Sequence, residues 1–309
     1  MTKAKVKSKP VEEENVIITS RSDIFMAALW SNPKNEHLLL SFINGVLLDA
    51  GMTPITKATV MSPHNIKQFA VEKSIALDVR VEDENKRIFH IEIQIKCHFG
   101  FVNRILHYWA DTYSSQLYMG EQYNQLKPVI SIIITDFDEF PLLKNFHTVF
   151  RAVADENPKV WLSDHFQIHL LRLAGVLKGH WENLVNVHEN LQNWAKFWVY
   201  AADKTEEEMS VLVKNNPMIL EAQRELKIFS SDKENRELVR SRRKFINETV
   251  IMLNAAIEEG ETKGKVEGKV EGKIEEKQET VQRLRSKGYD TNAIADATGL
   301  SEEEIMKLR

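Results

Sequence analysis

Two consecutive stretches of the chain alternate apolar and polar residues with a period of two. In SIALDVRVE, Ile75, Leu77, Val79 and Val81 alternate with Ala76, Asp78, Arg80 and Glu82. In FHIEIQIK, Ile91, Ile93 and Ile95 alternate with His90, Glu92, Gln94 and Lys96. Successive side chains on a strand point to opposite faces, so the pattern predicts two strands and puts Glu92, Gln94 and Lys96 on one face. The charged segment from Glu82 to Arg87 reads as the turn of a hairpin. An odd loop such as Glu84-Asn85-Lys86 sets Asp78 opposite Glu92, whereas an even loop flips one strand's apolar set into water, so burial selects the odd one. Opposed residues have Cβ atoms about 4.5–5.5 Å apart. Two carboxylates at that distance repel unless a cation sits between them, and a divalent metal is the expected one. On alternation alone, the competing reading is the solvated face of an edge hairpin.

Around this pair the period changes to that of helices. A first helix is predicted from Ser22, carrying Ile24, Phe25, Ala28 and Leu29 and broken by Pro33. A second, HLLLSFINGVLL, is apolar around most of its circumference and ends at Gly51, as a core helix does. Ile55 to Met61 is expected as a strand. Phe101 to Met119 is expected as a helix ending at Gly120, with Arg104, Tyr108 and Asp111 or Thr112 on one face and Ile105, Trp109 and Leu117 on another. VISIIIT, after Pro128, is a continuous β-branched run and reads as a strand buried on both faces, and FQIHLLRL as a further strand. This order predicts an α/β fold, a mixed central sheet flanked by helices.

The second half is helical. ENLQNWAKFWVYAAD has apolar residues at helical spacing, Thr205 to Glu208 forms a capping box, and Pro217 opens another helix through Leu226. SRRKFINETVIMLNAAIEEG continues as a helix into a repeat, GKVEGKVEGKIE, between Gly264 and Glu275. Its period of four makes one drifting stripe of Val266, Val270 and Ile274 and three more of Lys, Glu and Gly. Each glycine costs a helix about 1 kcal/mol against alanine, so the repeat is either a tightly packed helix or a solvated connector. The last 28 residues have the spacing of a helix-turn-helix, with Ala295, Gly299 and Ile305 at its small, turn and apolar positions. The second helix would present Glu302, Glu303 and Glu304, which repel phosphates, so a protein-interaction role is favoured over DNA reading. Four segments follow: a disordered tail at 1–20, the α/β domain at 21–240, a charged helical connector at 241–281 and the small helical unit at 282–309.

Composition adds limits. A chain of 309 residues, 43% hydrophobic and 28% charged, has the make-up of a globular protein with ample core. The net charge of −4 requires any nucleic-acid surface to be locally concentrated. The lone Cys97 forms no internal disulfide, there is no run of 18 apolar residues, and the first twenty residues lack a signal peptide's apolar centre. A cytoplasmic protein is expected. The ten histidines, His165 and His169 included, are poorly spaced for zinc.

An acid ending one strand, followed by a strand with acid-x-Lys or acid-x-Gln, resembles the PD-(D/E)XK nuclease superfamily. More narrowly the chain resembles the recombination-promoting nuclease/transposase family (Rpn). The likeness extends to SDIFMAALWSNPKNEHLLLSFINGVL, RILHYWADTYSSQLYMGEQYNQLKPVISIIITDF, FQIHLLRL, the WAKFW helix and the GKVEGKVEGK run, about residues 20 to 275. It implies a restriction-endonuclease-like core and a metal-dependent DNA endonuclease that promotes recombination or transposition-like mobilisation of DNA. Asp78, Glu92 and the Ile93 carbonyl would hold Mg²⁺ or Mn²⁺, and Gln94 would stand where most of the superfamily has lysine. Glutamine is usual there in the narrower family, and Lys96, on the same face, offers a substitute charge. The superfamily's first-helix acid suggests Asp23, although here Phe25 comes one residue early and the following lysine is missing; a helix-dipole role explains the same acid. Lys73 is a candidate phosphate contact. Arg104 and Tyr108 are candidate substrate contacts, against an ion pair for Arg104 and packing for Tyr108 and Tyr113. DNA is the implied partner, and a homodimer through residues 245–280 would supply a site for each strand. The alternative is a catalytically degenerate nuclease fold that binds DNA or protein, and a weaker one a transcription factor reading DNA through residues 282–309.

Overall fold

The structure, a computed structural model, describes residues 17–61, 78–94 and 100–308, and of Asp78 the backbone alone. The chain divides into two compact units between Arg243 and Lys244.

In the first unit, α1 (Asp23–Ser31) and α2 (Glu36–Asp49) precede the strands β1 (Thr59–Val60), β2 (Asp78–Glu82) and β3 (Ile88–Gln94). Helix α3 (Phe101–Ser114) is followed by β4 (Val129–Thr135), β5 (His147–Arg151), β6 (Val153–Ala154), β7 (Asn157–Trp161) and β8 (Phe166–Arg172). Then come α4 (Leu173–Leu177), α5 (Glu189–Tyr200), α6 (Glu206–Leu212), α7 (Pro217–Ser231) and the start of α8 (Lys233–Ser286). Among the described residues the main sheet runs β1-β2-β3-β4-β8-β5, and β6 and β7 pair separately as a ribbon. The β3-β4-β8 pairs are parallel and the others antiparallel, so the sheet is mixed as the order of elements predicts.

Alternation along the strands assigns the two faces. Val79, Val81, Phe89, Ile91 and Ile93 join α1, α2, α5 and α7 in the large core, where Trp30 stacks on Phe42 at 4.7 Å and Trp194 and Trp198 meet the same ring edge-on at 5.6 Å each. On the opposite face Phe101 and Ile105 of α3 pack on Ile133, Ile168 and Leu170. With a helical layer on each side, every residue of β3 and β4 is buried.

Several boundaries differ from the sequence reading. The helix expected to reach Met119 stops at Ser114, where Ser114 and Ser115 hydroxyls bond the carbonyls of Asp111 and Thr112 (3.3 Å each) and Gln116 brackets Lys127 through both its N–H and its carbonyl. The strand expected over 55–61 shrinks to two residues, because Asn44 takes both the N–H and the carbonyl of Ile55 and Glu84 takes the N–H groups of Thr56 and Lys57. Strands β5, β6 and β7 were not anticipated. Packing also starts earlier than the expected boundary at residue 21: Ile18 is buried, and the buried Ser20 hydroxyl donates to the carbonyls of Phe197 and Trp198.

The second unit comprises α8 from Lys244 with α9 (Thr291–Thr298) and α10 (Glu302–Lys307). Val281, Ile294 and Ile305 form its core, Gly299 makes the turn at φ +66°, and Ser301 with Glu304 closes the capping box. The helix-turn-helix spacing is therefore realised. Arg285 donates to the carbonyls of Ile305 and Leu308 at the end of α10. The GKVE repeat is helical and every residue from 251 to 277 is exposed, so among the described residues it is the solvated connector of the two alternatives and not a tightly packed helix.

Candidate active site

The hairpin turn fixes the site's register. Asp83 N–H donates to the Arg87 carbonyl (3.1 Å), Lys86 N–H donates to the Asp83 carbonyl (3.2 Å), and Lys86 takes φ +65°. The loop is thus the odd one, Glu84-Asn85-Lys86. The buried Asp83 carboxylate holds it closed by accepting from Asn85 N–H (2.9 Å), Arg87 N–H (2.8 Å) and Arg87 Nε (2.6 Å). Five residue pairs continue the register from Glu82 opposite Ile88 to Asp78 opposite Glu92. The two acids are backbone partners on neighbouring strands, the register that burial of the apolar face requires.

Glu92 is not on a wet edge. β3 lies between β2 and β4, and Glu92 is 0% exposed and Gln94 4%. The reading of a solvated edge hairpin is overturned, because α3 covers this face of the sheet. Its polar side makes three contacts on two rungs of β2 and β3: Arg104 Nη2 lies 3.3 Å from Glu92 Oε1, while on the Arg80–His90 rung Tyr108 meets the His90 ring edge-on at 6.0 Å and Asp111 pairs with Arg80 at 3.8 Å. Gln94 Nε2 also donates to Glu92 Oε1. A charge with no water around it needs such partners. The Trp109 indole N–H, donating to the Val129 carbonyl at 3.0 Å, anchors α3 to β4.

The other candidates separate. The Asp23 carboxylate accepts from Ile24 N–H (2.9 Å) and from Arg242 Nε (2.8 Å), so its counter-ion is an arginine of α8. Tyr113 stacks on Trp109 at 5.1 Å and bonds His165 at 2.9 Å, which is packing. Lys73, Lys96 and Cys97 lie outside the described residues, as does the side chain of Asp78. His165 and His169 do not share a site: His169 bonds His147 (3.0 Å), whose other nitrogen meets Asp49 (2.6 Å). Among the described residues no three His, Cys, Asp or Glu side chains group around a metal position.

The sequence reading passed over two residues at the same end of the sheet. Gln94, Thr135 and Arg172 form one rung across β3, β4 and β8, neighbouring strands being about 4.8 Å apart. Arg172 is buried and ion-paired to Asp138 at 2.6 Å. Asp136 donates its N–H to the Gln94 carbonyl (3.4 Å); burial raises its carboxyl above the usual range, against the opposing pull of Arg21 at 3.9 Å. The signal available was position: both are polar residues at the carboxyl ends of apolar parallel strands, where α/β sheets open their clefts.

A six-stranded mixed sheet with two opposed acids, an acid-x-Gln strand and a covering helix that contributes an arginine defines a nuclease-type core. A family model described as PD-(D/E)XK nuclease family transposase matches residues 21–256. The chain belongs to that family. No curated protein and no solved structure matches it.

Proposed function

We propose that the protein is a metal-dependent DNA endonuclease whose cuts promote recombination or transposition-like mobilisation of DNA. The observation that carries this is the register Asp78 opposite Glu92, with Gln94 two residues on along the same buried face. The donor set fits a hard divalent ion: two carboxylates and a backbone carbonyl, all oxygen, are what Mg²⁺ or Mn²⁺ takes. Asp78, Glu92 and the Ile93 carbonyl would hold it. Bound there, it would supply Lewis acidity and lower the pKa of a water. The chain's own groups do the rest. Gln94, already bonded to Glu92, has a carbonyl oxygen to orient the attacking water. Arg104, 18% exposed at its side chain, can hold phosphate charge on the solvent side of Glu92. Asp23, tied to Arg242, acts from outside the metal's immediate ligands, and Lys73, Lys96 and Tyr108 are proposed to line the path of the substrate.

The activity is assigned to residues 21–240, and assembly to the connector 241–281 and the unit 282–309. Copies joined through the C-terminal helices would bring one site to each strand of a duplex. A cytoplasmic protein accords with the single cysteine. Supercoiled plasmid with millimolar Mg²⁺ tests the reading: wild type should nick it, and Asp78→Ala and Glu92→Gln should each lose at least about a hundredfold in rate. Undiminished cleavage by Asp78→Ala would show the site to be elsewhere.

One observation favours the degenerate alternative, a nuclease fold kept for binding. Arg104 already sets a cation 3.3 Å from Glu92, so the buried carboxylate is neutralised from within. Calorimetric titration with Mg²⁺ separates the two, since binding that disappears in Glu92→Gln belongs to an enzyme site and its absence in wild type belongs to the degenerate fold.

A further inference from the structure

The exposed stretch of α8 carries a pattern that a solitary helix does not use. From 251 to 277 every residue is exposed, and Val266, Val270 and Ile274 stand 59%, 53% and 50% exposed on one stripe that drifts by about 40° per repeat. A helix solvated on all sides draws no stability from packing, and helices in proteins depend on an apolar face being covered. A Cβ added at Gly264, Gly268 or Gly272 would meet nothing within 4 Å among the described residues, so these give the glycines no steric role.

Charge identifies the cover. At 100° per residue, the repeat sets Lys265, Lys269 and Lys273 about 100° to one side of the Val/Ile line, and Glu267, Glu271 and Glu275 about 100° to the other. Each face therefore has one wholly basic and one wholly acidic border. Two helices related by a two-fold along their common direction present opposite borders to each other, so lysine meets glutamate on both sides of the seam. Two antiparallel helices, related by a two-fold across that direction, set lysine against lysine and glutamate against glutamate. Border charges fix partner orientation in this way in paired helices.

We propose that residues 264–275 of α8 pair with the same residues of a second copy of this chain, parallel and in register, around Val266, Val270 and Ile274. Lys265 and Glu267 lie one residue either side of Val266, so each lysine faces a glutamate of the partner about one helical step away, within reach of its side chain. The first units of both chains are then tethered at the same end of the helix pair, rather than at opposite ends. This rests on the repeat and not on the nuclease reading, which stands or falls by plasmid cleavage.

The test uses the full chain in a Cys97→Ser background. Light scattering at micromolar concentration should give twice the chain mass of 35.7 kDa. Val266→Cys and Ile274→Cys, each alone, should oxidise to a covalent dimer, because at both of these positions identical residues meet only in a parallel in-register pair. Lys265→Glu with Lys269→Glu and Lys273→Glu should weaken association at least about tenfold at low salt, and added salt should recover part of the loss. Those residues are exposed, so the first unit's fold is untouched. The mass of one chain, or of three or more, overturns the proposal. So does cross-linking by only one of the two cysteine variants, or only when the two are mixed, the latter being the mark of an antiparallel pair.

Discussion

Glu92 shows what a single buried charge demands. Its carboxylate is shut off from water by α3, and Arg104 and Gln94 answer it. Arg104→Ala removes the cation and leaves the acid buried, which is expected to cost about 3 kcal/mol in a urea titration. Mg²⁺ should restore part of that loss in the variant if the carboxylate is a metal ligand, and none of it otherwise. A second buried group sets the response to acid. Burial, and then the positive neighbours His147 and Arg151, hold the His169 imidazole well below its usual value of 6.5. The folded protein keeps His169 neutral while the unfolded chain takes up a proton as pH falls through 6.5, so stability is lost on acidification below that point, by up to about 1.4 kcal/mol per pH unit. Asp49 adds in the same direction at lower pH: burial raises its carboxyl, but the His147 hydrogen bond and the His188 N–H outweigh it, so its stabilisation is complete above 3.8 and is lost as pH falls from there through the lowered folded value. His169→Gln should flatten the first part of this profile in thermal melts between pH 7 and 5.

At the scale of elements, two polar devices of similar appearance should differ in consequence. Asp83 closes the β2–β3 loop from a buried position with three hydrogen bonds, and it sets the register that brings Asp78 to Glu92. Asp83→Ala is expected to cost about 2–3 kcal/mol and to reduce cleavage as well, although the residue touches nothing in the site. Thr205 caps α6 on the surface with Glu208. Thr205→Ala should cost about 1 kcal/mol and leave cleavage unchanged. Denaturant midpoints together with plasmid nicking rates check both.

For the whole molecule, a net charge of −4 limits how much phosphate the protein can neutralise. With Asp78→Ala to prevent cutting, duplex affinity should fall with salt at a slope of about −2 to −4 in log–log form, the mark of only a few phosphate contacts. A slope near −8 would require a basic surface that the composition does not favour. The family match runs to residue 256, past the expected boundary at 240 and past Arg243 at the end of the first unit, so it takes in part of α8.

Much of the nuclease face was legible along the chain, because alternation depends only on neighbours in sequence. The period of two in 75–82 and 88–95 fixed which side chains share a face, and the odd loop followed from keeping Val79, Val81, Ile91 and Ile93 on one of them. The capping boxes at Thr205 and Ser301 and the glycine turn at Gly299 were readable for the same reason. Contacts between distant segments were not. The placing of β3 inside the sheet, which buried a face that alternation alone would allow in solvent, came from pairing with β4 some forty residues later. Asp23 meets Arg242 across 219 residues, and His147 links Asp49 to His169, with no local signal for either pairing. The sequence by itself therefore determined which groups face the same way. Only the tertiary structure decided which of them are buried and what charge they meet, since burial and Coulomb partners are set by whatever the fold brings alongside.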